Sequence, residues 1–281
     1  MKDLAYYNGK ISLIDEMSIP FCDRVHFFGD GVYEVAMARN YRVYALDEHI
    51  ERFYRSAELV DIKMPCDKRE LSLLLYELVR ELDSPDQNVY WQVTRGVAER
   101  EHTYSDNLCG KLWVMLRPSA IKDIFTPVKA ITLPDTRGFN CNIKSLNLLP
   151  SVTYAQKAKR SGAYEAILYR EGGRVTECSH SNVHIITEDG VFKTAPTDNL
   201  ILGGIARAHL ISACRYLGIT VDESPFFIDE MMNAREVIIS STSGMCMICN
   251  EIDGMAVGGR AKEVADALRH CVLKDFITKT S

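Results

Sequence analysis

The sequence has no dense block of lysine and arginine, and its 38 acidic residues exceed its 33 basic ones, which gives a formal net charge of -5. Because nucleic acids and anionic membrane surfaces bind basic faces, this balance argues against both as partners. No segment approaches the roughly 20 uninterrupted apolar residues of a membrane helix, and MKDLAYYNGKISL lacks the apolar core of a signal peptide. The sequence therefore predicts a cytoplasmic protein with a small-molecule substrate and no nucleic-acid or membrane partner.

The nine cysteines do not form a disulfide framework that the sequence can identify. They are odd in number and scattered through apolar segments, a pattern that favours reduced thiols. Only Cys246 and Cys249 have a metal-like spacing, and neither a second cysteine pair nor a nearby histidine accompanies them. We therefore expect no zinc site and no other metal site.

The first part of the chain predicts a small α/β domain over residues 1–120. A hairpin is indicated around Asn8-Gly9 and a second one around Arg39-Asn40. Helical periodicity follows at about 47–61 and 68–82, and then the strand-like segments NVYWQVTRG and KLWVMLRPS. The pattern stops in the connector 120–127, which ends in a proline and is taken as the domain boundary.

Residues 121–281 predict a larger domain in which strands and helices interleave. The predicted strands are ITLP, CNIKSLNLL, AYEAILYR, NVHIIT and REVIISSTSG. Helices are predicted at about 151–161, from Gly203-Gly204 to Leu217, and from about Arg260 onward. The expected fold class for the whole chain is therefore α+β.

One lysine, Lys144, stands inside the apolar segment CNIKSLNLLP, residues 141–150, which predicts a buried strand. Burial disfavours an ammonium group, whereas a neutral amine is able to attack a carbonyl and form a Schiff base. An outward-facing lysine on a half-exposed strand explains this segment equally simply, and from the segment alone that explanation is favoured.

Three further segments of the same half are typical of an anion and cofactor site. The glycine pair before Ile205 and Ala206 offers helix N-terminal N–H groups to a phosphate, although a plain helix start is equally consistent. The hydroxyls at 240–243 follow an apolar strand, where a polar turn is the alternative. Glu177 ends another strand, where a solvated turn carboxylate is the alternative. A lysine, a phosphate site and a carboxylate are the protein groups that a pyridoxal phosphate enzyme needs.

The segments CNIKSLNLL, VTECSHSNV and LILGGIARAHL, in this order, resemble the fold type IV pyridoxal phosphate enzymes. These comprise D-amino acid aminotransferases, branched-chain aminotransferases and aminodeoxychorismate lyases. The similarity runs from YYNGKI through the final strand. It implies the two-domain architecture of that family, with the cofactor pyridoxal 5'-phosphate bound by the domain 121–281.

The resemblance also implies roles for particular residues. Lys144 corresponds to the Schiff-base lysine that carries the proton, and Glu177 to the partner of the pyridine nitrogen. Leu202 corresponds to the apolar residue against the cofactor ring, where ordinary core packing is the alternative. For Arg52 the alternative to phosphate binding is a surface ion pair with Glu48. The residues implied to bind the phosphate are Arg52, Ile205, Ala206, Ser241 and Thr242.

Arg100, His102 and Tyr33 indicate the subtype. Positions i and i+2 of an extended segment face the same side, so Arg100 and His102 can converge on one carboxylate. With Tyr33 they resemble the substrate-carboxylate trap of D-amino acid aminotransferases, whereas the alternative is an exposed charged loop. In that subfamily the trap reaches the active site of the neighbouring subunit, which implies a homodimer.

The resemblance therefore implies transamination between a D-amino acid of the D-alanine or D-glutamate type and a 2-oxo acid such as 2-oxoglutarate or pyruvate. The alternatives are a branched-chain L-amino acid aminotransferase, an aminodeoxychorismate lyase that releases pyruvate, and a cofactor-binding protein without turnover. Several residues depart from the subfamily pattern and affect the expected substrate range. They are His26, Cys178, His180 and the segment Met245-Cys246-Met247.

Overall fold

The computed structural model describes residues 1–281, which divide into two compact units. Unit 1 contains Met1–Ile121, Ile143–Asn147 and Ile277–Ser281, and unit 2 contains Lys122–Asn142 and Leu148–Phe276. The short segment that carries Lys144 therefore belongs to unit 1. The mixed α+β class expected from the sequence is confirmed.

Unit 1 is built on a six-stranded antiparallel sheet. The hairpin predicted at Asn8-Gly9 is confirmed, since both residues have positive φ angles and the strands on either side pair with Tyr7 opposite Lys10. Positive φ at both central residues matches the right-handed twist of the two strands. The strands are β1 (Leu4–Tyr7), β2 (Lys10–Ser12), β3 (Gly31–Arg39), β4 (Arg42–Val43), β5 (Gln87–Thr94) and β6 (Lys111–Pro118), in the order β2-β1-β6-β5-β3-β4.

Three helices complete unit 1: α1 (Val25–Phe28), α2 (Leu46–Glu58) and α3 (Lys68–Glu81). The two long helices were predicted, and α2 ends at residue 58 rather than 61. One face of α2 is buried in the core of the unit through Ile50, Phe53 and Ala57. α3 starts with a capping box, in which Asp67 and Glu70 each accept a hydrogen bond from the backbone N–H of the other.

Unit 2 is built on a nine-stranded mixed sheet. β7 pairs in parallel with β14 and with β8, whereas β13 pairs antiparallel with β10 and β14. The order is β12-β11-β10-β13-β14-β7-β8-β9, with β15 paired to β14. The strands are β7 (Val128–Pro134), β8 (Glu165–Tyr169), β9 (Val175–Cys178), β10 (Asn182–Ile186), β11 (Phe192–Thr194), β12 (Val221–Asp222), β13 (Glu236–Ser240), β14 (Met247–Ile252) and β15 (Met255–Ala256).

The remaining four helices are α4 (Leu149–Arg160), α5 (Ile205–Tyr216), α6 (Ile228–Met232) and α7 (Lys262–Lys279). Of these, α4, α5 and α7 were predicted and the short α6 was not. α4 begins two residues earlier than predicted and has Pro150 in its first turn, where a missing N–H does no harm. None of the seven helices combines the length and the apolar character required to span a bilayer.

The predicted strand CNIKSLNLL is wrong. Residues 141–148 form turns and irregular structure, with one isolated bridge between Ser145 and Val32. The segment runs along the part of β3 that β4 leaves uncovered, where the N–H of Tyr33 donates to the carbonyl of Lys144 at 2.9 Å. The sequence of the segment resembles a strand because it contains core-facing residues such as Ile143, which packs against the core of unit 1. The segment nevertheless forms no hydrogen-bonded ladder.

Candidate functional site

The amine of Lys144 lies over an aromatic ring in unit 1. Its Nζ is 4.3 Å from the centre of the Tyr33 ring, and its backbone N–H donates to Ser56 Oγ at 3.2 Å. The side chain is half-buried rather than enclosed, which differs from the burial expected of a core strand. The amine takes part in none of the ion pairs of the chain and so stays available to a carbonyl carbon.

A buried cluster of charged residues lies near this lysine. Arg52 on α2 donates from Nε and Nη2 to the Glu34 carboxylate, at 2.9 and 2.6 Å. His49 Nδ1 lies 3.1 Å from Glu34 Oε1, and all three side chains are at most 5% exposed. Arg52 is therefore a buried residue, and the surface location considered for it is excluded.

The cluster shifts the pKa values of its own members. Burial raises the pKa of Glu34, but the charges of Arg52 and His49 outweigh burial and hold that pKa below its usual value. Burial lowers the pKa of His49, and the neighbouring Arg52 and Lys144 act in the same direction against the opposing Glu34. Glu34 is therefore ionised at pH 7.

The structure brings Arg100 and His102 to one aromatic ring of unit 1. The Arg100 guanidinium carbon and the His102 ring centre each lie 5.4 Å from the centre of the Phe28 ring. Both side chains are exposed and stand in an irregular loop, which the alternative of a charged loop also predicts. Tyr33 contacts neither of them. Its ring lies against Lys144 Nζ and stacks on the Tyr90 ring, with 5.6 Å between the two ring centres.

In unit 2, Glu177 is buried at the end of β9 among three hydrogen-bond donors. Arg137 Nη1 donates to Oε1, while Asn182 Nδ2 and the N–H of Leu202 each donate to Oε2 at 3.1 Å. Burial raises the pKa of Glu177 to about 7, against the opposing effects of Arg137 and the Leu202 N–H. A cation placed next to this carboxyl would favour its ionised form.

Asn182 links the segments predicted to bind phosphate. It pairs with Ser240 across the β10–β13 ladder, immediately before Ser241 and Thr242, and its Nδ2 donates to the Leu202 carbonyl at 2.9 Å. A side chain at Gly204 would collide with the Asn182 amide, so the start of α5 lies directly against it. Leu202, Ile205 and Ala206 and the turn at 241–242 therefore flank one asparagine.

The start of α5 presents backbone donors. Gly204 precedes the helix without a side-chain cap, which leaves the N–H groups of Ile205 and Ala206 without an intrahelical partner. The positive end of the helix dipole points the same way and favours an anion. In the second phosphate segment, Ser241 Oγ accepts a hydrogen bond from the N–H of Gly244 at 3.1 Å.

Three of the departures from the subfamily pattern lie in buried or paired positions, and the fourth, His26, is exposed. Cys178 is fully buried, and the segment Met245-Cys246-Met247 is at most 5% exposed. His180 Nδ1 lies 2.9 Å from Glu165, a buried carboxylate that also accepts hydrogen bonds from Ser179 and Ser181. No group of three or more potential metal ligands occurs in the chain.

Three residues that shape these sites were not predicted from the sequence: Arg137, Asn182 and Glu34. Arg137 and Glu34 are distant in sequence from the residues that they contact, and none of the three has a spacing that singles it out. Two signals were nevertheless available, because Glu34 follows Tyr33 in GDGVYEV and Arg137 closely precedes the segment that carries Lys144.

The donor sets fit pyridoxal phosphate, the cofactor implied by the resemblance. Unit 1 offers the unpaired Lys144 amine to an aldehyde. Unit 2 offers the buried Glu177 carboxylate to a pyridine nitrogen and the uncapped start of α5 to a phosphate.

Known proteins resemble the chain over nearly its whole length. It is 38% identical over 276 residues to a D-alanine aminotransferase of Bacillus licheniformis, covering 96% of this chain and 97% of that one. It is 41% identical over 270 residues to a D-alanine aminotransferase of Listeria monocytogenes serotype 1/2a strain 10403S, covering 94% and 93%.

The fold agrees with solved structures as well. A branched-chain amino acid aminotransferase of Escherichia coli superposes with a TM-score of 0.90 at 20% identity, covering 100% of this chain and 97% of that one. Residues 31–252 match the family described as Amino-transferase class IV, whose cofactor is pyridoxal phosphate. The half-buried lysine of unit 1, the buried carboxylate of unit 2 and these matches lead to one conclusion: the chain belongs to the class IV aminotransferases.

Proposed function

We propose that the protein transfers the amino group of a D-amino acid, of the D-alanine or D-glutamate type, to a 2-oxo acid such as 2-oxoglutarate or pyruvate. The observation that carries this proposal is the identity of about two fifths to D-alanine aminotransferases across nearly the full length of both chains. The closeness of the fold to branched-chain enzymes at 20% identity supports the architecture and not the choice of substrate.

Pyridoxal phosphate, when bound, supplies an aldehyde that takes up amino groups and a protonated ring that accepts electrons from the substrate α-carbon. Lys144 Nζ supplies the amine that holds the cofactor and afterwards moves the proton removed from the α-carbon. Glu177, fixed by Arg137 and Asn182, keeps a proton on the ring nitrogen. The proposed phosphate ligands are Arg52, the backbone of Ile205 and Ala206, Ser241 and Thr242, with Leu202 against the ring.

The proposed binding site for the substrate carboxylate consists of Arg100, His102 and Tyr33. A guanidinium and an imidazole that both lie against Phe28 offer nitrogen donors to one anion. The side on which the carboxylate is held decides which enantiomer presents its α-proton to Lys144. This choice is the physical basis for D-amino acids as substrates.

The partner proposed for this chain is a second copy of itself, whose active site the Arg100/His102 pair would complete. Mixing subunits tests this assignment directly. At D-alanine concentrations far below the KM of the variant, the Arg100→Ala and Lys144→Ala homodimers should each show little activity. A mixture exchanged through partial unfolding should regain activity, because one site then holds both native residues. Absence of any regain, with hybrid dimers demonstrated by mass spectrometry, would reject the shared site.

We also propose a cytoplasmic location and a division of roles between residues 1–120, which carry the carboxylate site, and residues 121–281, which bind the cofactor. All nine cysteines are free, which agrees with a reducing compartment.

The proposed function is tested by adding D-alanine, L-alanine or L-leucine separately to the cofactor-loaded protein without an oxo acid and following the cofactor absorbance. We expect conversion to the amine form with D-alanine only, and L-alanine is the matched control. Conversion by L-leucine alone would indicate a branched-chain aminotransferase. Pyruvate release from aminodeoxychorismate without an acceptor would indicate a lyase.

A further inference from the structure

Arg24 is a buried arginine that binds the loop carrying Arg100 and His102. It is 3% exposed and directly precedes α1. Its Nη1 donates to the carbonyls of Glu101 at 2.6 Å and Thr103 at 3.2 Å, and its Nη2 lies 3.4 Å from the carbonyl of His102. One guanidinium therefore contacts three successive carbonyls of this loop.

The loop has little else to define its conformation. Residues 98–110 contain no helix or strand, and the backbone hydrogen bond within its first part joins the Glu101 N–H to the Glu99 carbonyl at 2.9 Å. Carbonyls without a ladder need donors from elsewhere, and a planar guanidinium supplies several in a fixed arrangement. The conformation at 101–103 thus depends on Arg24.

Arg24 is itself held firmly. Its Nε donates to Asp30 Oδ2 at 2.8 Å, and its backbone N–H donates to the Gly96 carbonyl at 3.0 Å. Asp30 also binds Arg95, whose guanidinium carbon lies 3.8 Å from the centre of the Tyr104 ring. The loop is therefore held at 101–103 by Arg24 and at Tyr104 by Arg95, with Asp30 between the two arginines.

The same ring that lies next to Arg100 and His102 also contacts Arg24. The guanidinium carbon of Arg24 is 4.9 Å from the centre of the Phe28 ring, against 5.4 Å for Arg100 and for His102. Arg24 consequently fixes both the backbone beneath the two side chains and the ring on which they rest. From this location Arg24 can orient the side chains of Arg100 and His102 without contacting the substrate itself.

We propose that Arg24 is a positioning residue for substrate binding, which aims Arg100 and His102 at the substrate carboxylate by holding the carbonyls of residues 101–103. This inference rests on the proposed role of Arg100 and His102. It assigns Arg24 an effect on the KM for D-amino acids and leaves the proton transfer at Lys144 unchanged.

The variant Arg24→Met keeps the apolar stem and removes every donor. We expect it to raise the KM for D-alanine roughly tenfold, with kcat changed far less, because a displaced binding group weakens substrate capture. Hydrogen exchange measured on the holoenzyme should rise at the amides of residues 100–104 and not at those of α2. Arg24→Lys should show the same pattern more weakly and serves as the test if Arg24→Met does not fold.

Two comparisons separate positioning from general destabilisation. Arg269→Met, which removes a buried arginine bound to Asp266 in unit 2, should leave the KM unchanged. In an Arg100→Ala, His102→Ala background, adding Arg24→Met should raise the KM no further, because the groups that it aims are gone.

The failures of the two proposals are distinguishable. A normal KM and normal exchange in Arg24→Met, with a raised KM in Arg100→Ala, would overturn the role of Arg24 alone. A normal KM in Arg100→Ala would overturn the carboxylate site and this inference with it. A further rise of the KM on adding Arg24→Met to the double variant would mean that Arg24 acts by another route.

Discussion

At the scale of single residues, the pKa of a buried carboxyl group depends on the charged residues next to it. Glu34 and Glu177 are both buried carboxyls that contact an arginine, yet the pKa of Glu34 is lowered and that of Glu177 is raised. Glu34 has two basic partners, Arg52 and His49, that outweigh its burial, and Glu177 has one arginine that Asp135 partly neutralises. The pKa of a buried glutamate is thus lowered in one environment and raised in the other.

We expect Glu34→Gln to lower the free energy of unfolding by about 3 to 5 kcal/mol at pH 7, because it deprives buried Arg52 of its carboxylate. Since the folded-state pKa is lowered from 4.5, this stabilisation is fully present above pH 4.5 and is lost as the pH falls below it. Urea unfolding at several pH values should therefore show the two curves converging in acid.

Glu251→Gln is the matched control for that experiment. Its partner Lys129 is 55% exposed and lies 2.8 Å away, so the loss should stay within about 1 kcal/mol. A cost for Glu34→Gln as small as that of the control would contradict the importance of the buried pair.

Arg100→Ala should raise the KM for D-alanine and for D-glutamate at least about tenfold, since loss of a charged hydrogen bond to a carboxylate removes roughly 1.5 to 3 kcal/mol. Steady-state kinetics with each substrate measures the change. Glu101→Ala in the same loop is the control and should keep the native KM. Kinetics like those of the wild type in Arg100→Ala would discard the carboxylate role.

At the scale of elements, the start of α5 follows shortly after Leu202, which binds Glu177, and carries the proposed phosphate ligands Ile205 and Ala206. The N–H of Leu202 donates to Glu177. Gly203 and Gly204 come next, and the first turn of α5 begins directly after them. The second glycine is required because Asn182 occupies the space of its missing side chain, whereas a Cβ at Gly203 would meet only Thr197 Cγ2 at an ordinary 3.5 Å. The helix start and the carboxylate are thus connected through one asparagine.

We therefore expect Gly204→Ala to destabilise the protein by about 1 to 3 kcal/mol, as overpacking does, and to weaken pyridoxal phosphate binding by displacing Asn182. Gly203→Ala is the matched control and should change both quantities little. Thermal unfolding and fluorescence titration with the cofactor measure the two effects. Equal behaviour of the two variants would show that close packing at Gly204 is unimportant.

At the scale of the whole molecule, the residues proposed for the chemistry are divided between the two units. The sequence places the Lys144 segment between stretches of unit 2, yet its backbone binds β3 of unit 1. The chain therefore passes from unit 2 to unit 1 and back at the segment that carries Lys144.

Removal of pyridoxal phosphate should lower the unfolding temperature, because a ligand that binds only the folded state stabilises it by mass action. Calorimetry of the loaded and the cofactor-free protein measures this difference. We expect a smaller difference in Lys144→Ala, which loses the covalent attachment but keeps the phosphate and ring contacts. An unchanged unfolding temperature on cofactor removal in the wild type would contradict the proposed binding site.

Much of this protein followed from its sequence alone. Local sequence preferences are enough to predict the Asn8-Gly9 turn, the helices α2 and α3, and the start of α5. The order of three motifs identified the family.

Only the tertiary structure decided what surrounds those residues. It turned the predicted strand at Lys144 into an irregular segment along β3, placed Arg137 on Glu177 and placed Arg24 under the Arg100 loop. These contacts join residues far apart in sequence, so they depend on the path of the whole chain. They produce no periodic pattern in the sequence from which they could be predicted. The sequence determined the elements and the chemistry available, and the fold decided which charges meet, because burial and pairing exist only once distant segments pack together.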